Sequence, residues 1–93
     1  PLGVMGTAET TSYTLTANTA YTVTALAGRQ RIMIQNLSTY ENIWVAPGST
    51  NATVSASICI GPLAAFSDDY DDTIDFAIIA STAQPIAILQ EGE

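Results

Sequence analysis

The sequence predicts an all-β fold, an antiparallel β-sandwich or small barrel of about seven short strands with an extended N-terminal arm. Apolar residues alternate with threonine and other polar residues at a period of two in several runs, and turn residues separate these runs about every eight to twelve positions. No segment combines helix caps with a 3.6-residue period. With 47% hydrophobic and 12% charged residues, the composition is that of a globular domain rather than of a disordered segment.

The N-terminal segment differs in pattern from the remainder of the chain. Residues 1–10 contain two glycines and small polar residues without a sustained period. We therefore expect a flexible arm over residues 1–10, ordered only when a neighbouring molecule binds it, and one β-sandwich domain over residues 11–93. The partner-binding candidates in this arm are Pro1, Leu2, Val4 and Met5.

The first two strands are predicted where aromatic and aliphatic residues alternate with threonine. These runs cover residues 11–16 and 21–25, and a break at Asn18 separates them. The second run ends at Gly28. Alternation of this kind is typical of a strand that is buried on one face.

The central part of the chain predicts two further strands joined by a polar turn. Residues 31–35 direct two isoleucines inward, residues 36–42 form the turn, and residues 43–45 begin the next strand. The pair Pro47-Gly48 ends that strand because proline cannot donate a hydrogen bond to a sheet.

Three more strands are predicted after residue 56. They cover residues 57–60, 74–79 and 85–89, and a Gly-Pro pair ends the first of them. The two alanines at positions 64 and 65 are too few for more than a helical turn. The residues expected to face the core are Ile32, Ile34, Ile43, Val45, Ile58, Ile60, Ile74, Phe76, Ile78, Ile86 and Ile88.

The side chains on which most catalysis depends are missing from the sequence. There is no histidine and no lysine, so no side chain has an ordinary pKa near neutrality and none forms a Schiff base. The single cysteine, Cys59, lies between isoleucines without a partner that would activate it. We expect no enzymatic activity and no cofactor.

Charge and hydropathy restrict the partners of the chain. Two arginines against nine carboxylates give a net charge of −7, which disfavours nucleic acid. No apolar run approaches the roughly 20 residues needed to span a bilayer, so no membrane partner is expected. Because one cysteine forms no internal disulfide and the opening residues do not resemble a signal peptide, we expect synthesis in a reducing cytoplasm.

The one dense polar cluster is an acidic turn. Asp68, Asp69, Asp71 and Asp72 surround Tyr70. We expect a solvated turn whose like charges discourage edge-to-edge aggregation. A calcium site and an anchor for cations of a partner are the alternatives; the spacing is not that of an EF-hand loop, and no metal ligand is assigned.

Two further pairs of residues are candidates for partner contacts. Arg29 and Arg31 stand two positions apart at a predicted strand start, so they are expected to share one face and to pair with the aspartates, within the fold or between subunits. Trp44 faces away from its isoleucine and valine neighbours. Its face is either covered by another layer or subunit, or forms with Tyr40 an exposed platform of the kind that stacks on sugars.

Two stretches carry a resemblance to a known class of protein. Residues 29–46, RQRIMIQNLSTYENIWVA, and residues 68–90, DDYDDTIDFAIIASTAQPIAILQ, resemble small all-β virion proteins of tailed bacteriophages, of the head decoration or cement type. The resemblance implies a capsid-stabilising virion protein, often a homotrimer, made in the host cytoplasm and bound to the major capsid protein on the outer capsid surface. The alternative is a receptor- or glycan-binding module of a phage tail fibre.

Overall fold

The fold is all-β, as the sequence predicts. The computed structural model describes residues 6–55 and 57–92, and within them it contains eight strands and no helix. The strands are β1 (Thr7–Thr14), β2 (Tyr21–Thr22), β3 (Arg29–Asn36), β4 (Ile43–Pro47), β5 (Ile58–Ile60), β6 (Ala65–Asp68), β7 (Phe76–Ile79) and β8 (Pro85–Gly92).

The strands form two four-stranded antiparallel sheets. Sheet A has the order β1-β8-β3-β6, and sheet B has the order β2-β7-β4-β5. Among the described strands, only β3 and β8 are both long, with eight residues each, and flanked on both sides within sheet A. The other strands are either short or, like β1, at the edge of a sheet. The β3–β8 pair is therefore the framework on which sheet A is built.

The core lies between the sheets and takes one face of each. In sheet A, Ile34 lies opposite Ile88 on β8 and opposite Phe66 on β6. In sheet B, Val45 lies opposite Ile78. The two-residue alternation thus brings the branched side chains of both sheets into one apolar layer. The buried members of this cluster are Leu15, Val23, Ile32, Ile34, Ile43, Val45, Ile60, Phe76, Ile78, Ala80, Ile86 and Ile88.

Two of the residues expected to face the core are not buried. Ile58 lies opposite Val45 and so shares its face, but its side chain is 47% exposed because β5 is the edge strand of sheet B. Ile74 precedes β7 in a turn and is half-buried against the core. Both side chains are directed towards the core side as expected, but they are not covered there, since alternation predicts the direction of a side chain and not what covers it.

The N-terminal boundary of the domain is also different. Residues 7–10, expected in a flexible arm, form the first half of β1 and pair with β8, with Thr7 opposite Gly92 and Thr10 opposite Leu89. Both faces of this half-strand are exposed, so its sequence shows no alternation of apolar and polar residues. It is held in the sheet by backbone pairing with β8 and not by burial of side chains. The arm candidates Pro1, Leu2, Val4 and Met5 lie outside the described residues.

Two other elements differ from the sequence prediction. Residues 65–68, where no strand was expected, form β6 at the edge of sheet A, and of these only Phe66 is partly buried. The strand expected over residues 21–25 is limited to Tyr21–Thr22. Val23 is nevertheless buried and donates its backbone N–H to the carbonyl of Phe76 at 2.9 Å.

Burial predicts a large difference between two chemically identical substitutions. Ile34→Ala removes a fully buried side chain and is expected to lower the free energy of unfolding by about 2–5 kcal/mol. Ile58→Ala, at the exposed edge, is expected to lower it by less than about 1 kcal/mol. Urea unfolding followed by circular dichroism measures both. If both substitutions lowered the free energy of unfolding by the same amount, Ile34 would not lie in the core as the structure shows.

Candidate functional site

A buried arginine connects the acidic turn to sheet A. Only 1% of Arg29 is exposed. Its Nη2 donates to the carbonyls of Asp71 and Ile74, both at 2.6 Å, and its Nε donates to the carbonyl of Tyr70 at 3.3 Å. Three backbone oxygens of the turn thus converge on one guanidinium, which satisfies a charge that would be costly to bury alone.

Two side chains of neighbouring strands complete the environment of Arg29. Nη1 donates to Oε1 of Gln90 at 2.8 Å, and the guanidinium carbon lies 5.1 Å from the ring centroid of Phe76. Gln90 is itself buried and donates Nε2 to the carbonyl of Thr24. Burial lowers the pKa of Arg29, and the charges of Asp72, Asp71 and Asp75 act in the opposite direction.

Arg31 lies in a different environment from Arg29, and the prediction that they share a face is wrong. The β3–β8 register shifts between Arg29 and Arg31, so a β-bulge turns one side chain into the core and the other outward. Arg31 Nε forms an exposed ion pair with Asp69 Oδ1 at 3.2 Å. The expected pairing of an arginine with the acidic turn is thus present, while Arg29 binds carbonyls instead.

The carboxylates of the acidic turn are exposed and engaged locally. Asp68 accepts from the backbone N–H of Asp69, and Asp72 accepts from the backbone N–H of Gly28, both at 2.8 Å. Asp71 Oδ1 accepts from the Thr73 hydroxyl and backbone N–H, which lower its pKa. Within the described residues, no group of three or more His, Cys, Asp or Glu is placed to hold a metal ion.

The turn that carries Gly28 approaches the end of β8 very closely. Gly28 has a φ of +78°, and a Cβ added to Gly92 would lie 2.2 Å from the Gly28 carbonyl oxygen. Position 92 therefore accepts no side chain without movement of the backbone. The contact fixes the end of sheet A against the loop that leads into Arg29.

Trp44 and Tyr40 do not form a shared aromatic platform. Trp44 faces away from the main core as predicted, but it is half-buried in a second apolar cluster with Ala52, Val54 and Ile79. A loop of the same chain thus covers part of its face. Tyr40 is 73% exposed, and none of the ring contacts of the described residues joins it to Trp44.

The strongest candidate for a contact surface is β1, which sequence reasoning missed in part. It has eight residues, and seven of them are exposed; Thr11 is partly buried. On one side it pairs with β8, and no other strand of the described structure pairs with its opposite edge. Backbone groups of an open edge strand are available to a further strand, and β1 contains neither lysine nor proline to prevent such pairing.

An aromatic stack fixes the end of β1 to sheet B. The rings of Tyr13 and Tyr21 lie 3.9 Å apart between centroids at an interplanar angle of 17°. Immediately after β1, Leu15 is buried and its N–H donates to the carbonyl of Gln84 at 2.9 Å. The C-terminal end of β1 is thus anchored in the sandwich, and the remainder extends along its edge.

Comparison with solved structures shows that the fold occurs in another protein. The chain is similar to a protein in a structure described as "Bacillus endospore appendages form a novel family of disulfide-linked pili", with a TM-score of 0.52, 15% identity, and coverage of 94% of this chain and 87% of that chain. The coat protein of Tobacco streak virus also matches, with a TM-score of 0.39, 10% identity, and coverage of 99% of this chain and 90% of that chain.

The first of these likenesses identifies an all-β fold that this chain shares, at an identity too low to say more. No family model matches the chain, and no curated protein sequence matches it. No helix long and apolar enough to cross a membrane occurs in the described part of the chain.

The two arginines are expected to contribute very differently to stability. Arg29→Met leaves the carbonyls of Asp71 and Ile74 without their donor, so we expect a loss of about 2–4 kcal/mol in the free energy of unfolding. Arg31→Met removes only an exposed ion pair and is expected to cost less than about 1 kcal/mol. Urea unfolding of both variants measures the difference, and a neutral Arg29→Met would contradict the role assigned to Arg29.

The hydrogen bonds that Thr73 donates to Asp71 predict a measurable change in the pKa of Asp71. Thr73→Val removes the hydroxyl donor to Asp71 Oδ1 and retains the backbone donor, so the pKa of Asp71 is expected to rise part of the way to its ordinary value. Because the folded-state pKa is depressed, the stabilising contribution of this carboxylate is present above the unfolded-state pKa and is lost as the pH falls through the folded one. NMR titration of the carboxyl carbon tests this, and an unchanged pKa in the variant would contradict it.

Proposed function

We propose that this chain is a non-enzymatic structural subunit of a viral head, which binds the outer surface of the capsid as a decoration protein and stabilises the lattice. The observation that carries the assembly role is β1, an eight-residue edge strand exposed on nearly its whole length. An edge of this kind in a small domain favours association with another protein chain.

The distribution of charge supports a partner that is a protein rather than a nucleic acid. Arg29 is buried and Arg31 is paired with Asp69, so both arginine side chains are already engaged within the chain. The aspartates of the acidic turn are exposed at the end of sheet A where β1 begins. A net charge of −7 suits a protein that lies outside the capsid and does not adhere to packaged DNA.

The fold likeness supports an assembly role in general terms. The similar protein comes from endospore appendages described as disulfide-linked pili, and its fold covers 94% of this chain. The more specific role on a phage head comes from the sequence resemblance over residues 29–46 and 68–90. Its proposed partner is the major capsid protein, and its proposed location is the outer capsid surface of the virion.

The proposed mechanism is stabilisation by mass action. A protein that binds the assembled lattice and not its separated subunits shifts the equilibrium towards the lattice by an amount set by its concentration relative to its dissociation constant. The rigid sandwich presents its contact residues without a large ordering cost, which leaves more of the interaction free energy for binding.

Heads prepared with and without this protein test the proposal. We expect heads that carry the protein to break at a higher temperature, and addition of purified protein to bare heads to restore the difference. A variant with Tyr40→Ala serves as a control, because capsid stabilisation through β1 does not require that exposed ring. Differential scanning fluorimetry with a DNA-binding dye measures the disruption temperature.

Two outcomes would contradict the proposal. If heads with and without the protein break at the same temperature, the cementing role is wrong. If the protein binds no heads but binds glycans in a manner abolished by Tyr40→Ala, the tail-fibre alternative replaces it.

A further inference from the structure

The open edge of β1 fits a second copy of the same strand. We propose that two copies of this chain associate through antiparallel pairing of β1 with β1 around a twofold axis, so that two copies of sheet A join into one continuous eight-stranded sheet. The inference goes beyond the proposed capsid role, since it concerns the free protein. In the free protein β1 pairs with a second copy, and binding to the capsid through β1 would replace that contact.

Strand length is the first reason for a twofold arrangement. The other three sheet edges of the described structure are β6, β2 and β5, with four, two and three residues. A head-to-tail contact that joins β1 to one of these edges would leave at least half of β1 without a partner. A contact of β1 with itself pairs seven of its eight residues, which is more of this edge than a contact with any of the other three edges pairs.

The position of charge is the second reason. Glu9 is the one charged residue of β1. An axis at Thr11 places Thr10 opposite Ser12 of the second copy and Glu9 opposite its Tyr13, so that no like charges face each other. An axis at Thr10 would also pair seven residues, but it would include Thr7, which already makes an interaction, whereas an axis at Thr11 uses residues 8–14 of both copies.

The acidic turn gives the third reason, because it fixes the relative direction of the strands. Thr7 lies opposite Gly92, and Gly92 lies opposite Arg29, so the acidic turn stands at the end of sheet A where β1 begins. Antiparallel pairing puts the acidic turns of the two copies at opposite ends of the joined strands. A parallel arrangement would bring them together and increase the repulsion between two chains of net charge −7.

The exposure of β1 also suits sheet extension. Thr10 and Ser12 share the outer face of sheet A, opposite Leu89 and Ala87, and both are exposed. A second β1 would pair its backbone groups and cover β-branched side chains that sheets accommodate well. The pair with twofold symmetry is therefore the oligomer we propose, in place of the trimer that the sequence resemblance implies.

A pair of charge variants at the same two positions tests both the interface and its register. In Thr10→Lys with Ser12→Lys, lysine faces lysine of the other copy twice, and we expect the dissociation constant to rise about tenfold or more. In the matched control, Thr10→Lys with Ser12→Glu, lysine faces glutamate twice, and the dimer is expected to persist. The double lysine makes the net charge less negative than −7, so overall repulsion does not explain a loss of dimer.

Sedimentation equilibrium of the wild type and both variants at tens of micromolar gives the masses, and circular dichroism verifies that each variant is folded. A wild-type mass of one copy or of three copies would overturn the proposal. Equal association of the two variants would overturn it as well, because the contact would then lie elsewhere. These outcomes are distinct from a failure of the capsid role, which is measured on particles.

Cysteine cross-linking provides a second measurement of the register. In a Cys59→Ser background, Thr11→Cys places two thiols across the axis with Cα atoms about 5 Å apart, within reach of a disulfide. Oxidised glutathione accepts the two electrons and two protons that the bond releases. We expect covalent dimers from Thr11→Cys and none from Thr14→Cys, whose copies would lie about 20 Å apart. The reverse result, or no cross-link from either variant, would overturn the register.

Discussion

The hydrogen bonding of one buried guanidinium organises the end of the sandwich where the acidic turn and both long inner strands meet. Arg29 donates to carbonyls at positions 70, 71 and 74, to the side chain of Gln90, and lies on the ring of Phe76. A buried cation must retain its acceptors, so the turn cannot adopt another path without leaving the charge unsatisfied. The backbone of the turn therefore faces inward, and its carboxylates are left in solvent.

The unequal lengths of the two sheets explain why β1 is exposed. Sheet A carries an eight-residue strand at one edge, whereas the edge of sheet B anchored to it by the Tyr13–Tyr21 stack has a strand of only two residues. Sheet B is thus too short there to cover the inner face of β1. The apolar layer lies between the middle strands of the two sheets, and β1 is left as a long polar edge. Such an edge is a surface suited to contacts between chains.

Stability and assembly are separated in space by this arrangement. The interactions that stabilise the fold lie in the apolar layer and around Arg29. Because β1 contributes little buried surface, it is available as a contact surface. The acidic turn restricts the directions from which another copy approaches, since like charges repel at one end of the molecule.

The sequence by itself determined the all-β class and most of the core, because a side-chain period of two is a local property that burial on one face imposes. It also placed the acidic turn and offered Arg29 and Arg31 as its ion-pair partners, but only the structure showed that Arg31 is the one that pairs with Asp69. Only the tertiary structure decided that residues 7–10 are a strand, since a strand exposed on both faces has no hydrophobic pattern to detect. Likewise only the fold decided that Arg29 is buried: a single bulge between Arg29 and Arg31 reverses which face each side chain occupies, and the acceptors that satisfy Arg29 lie more than 40 residues away in the chain.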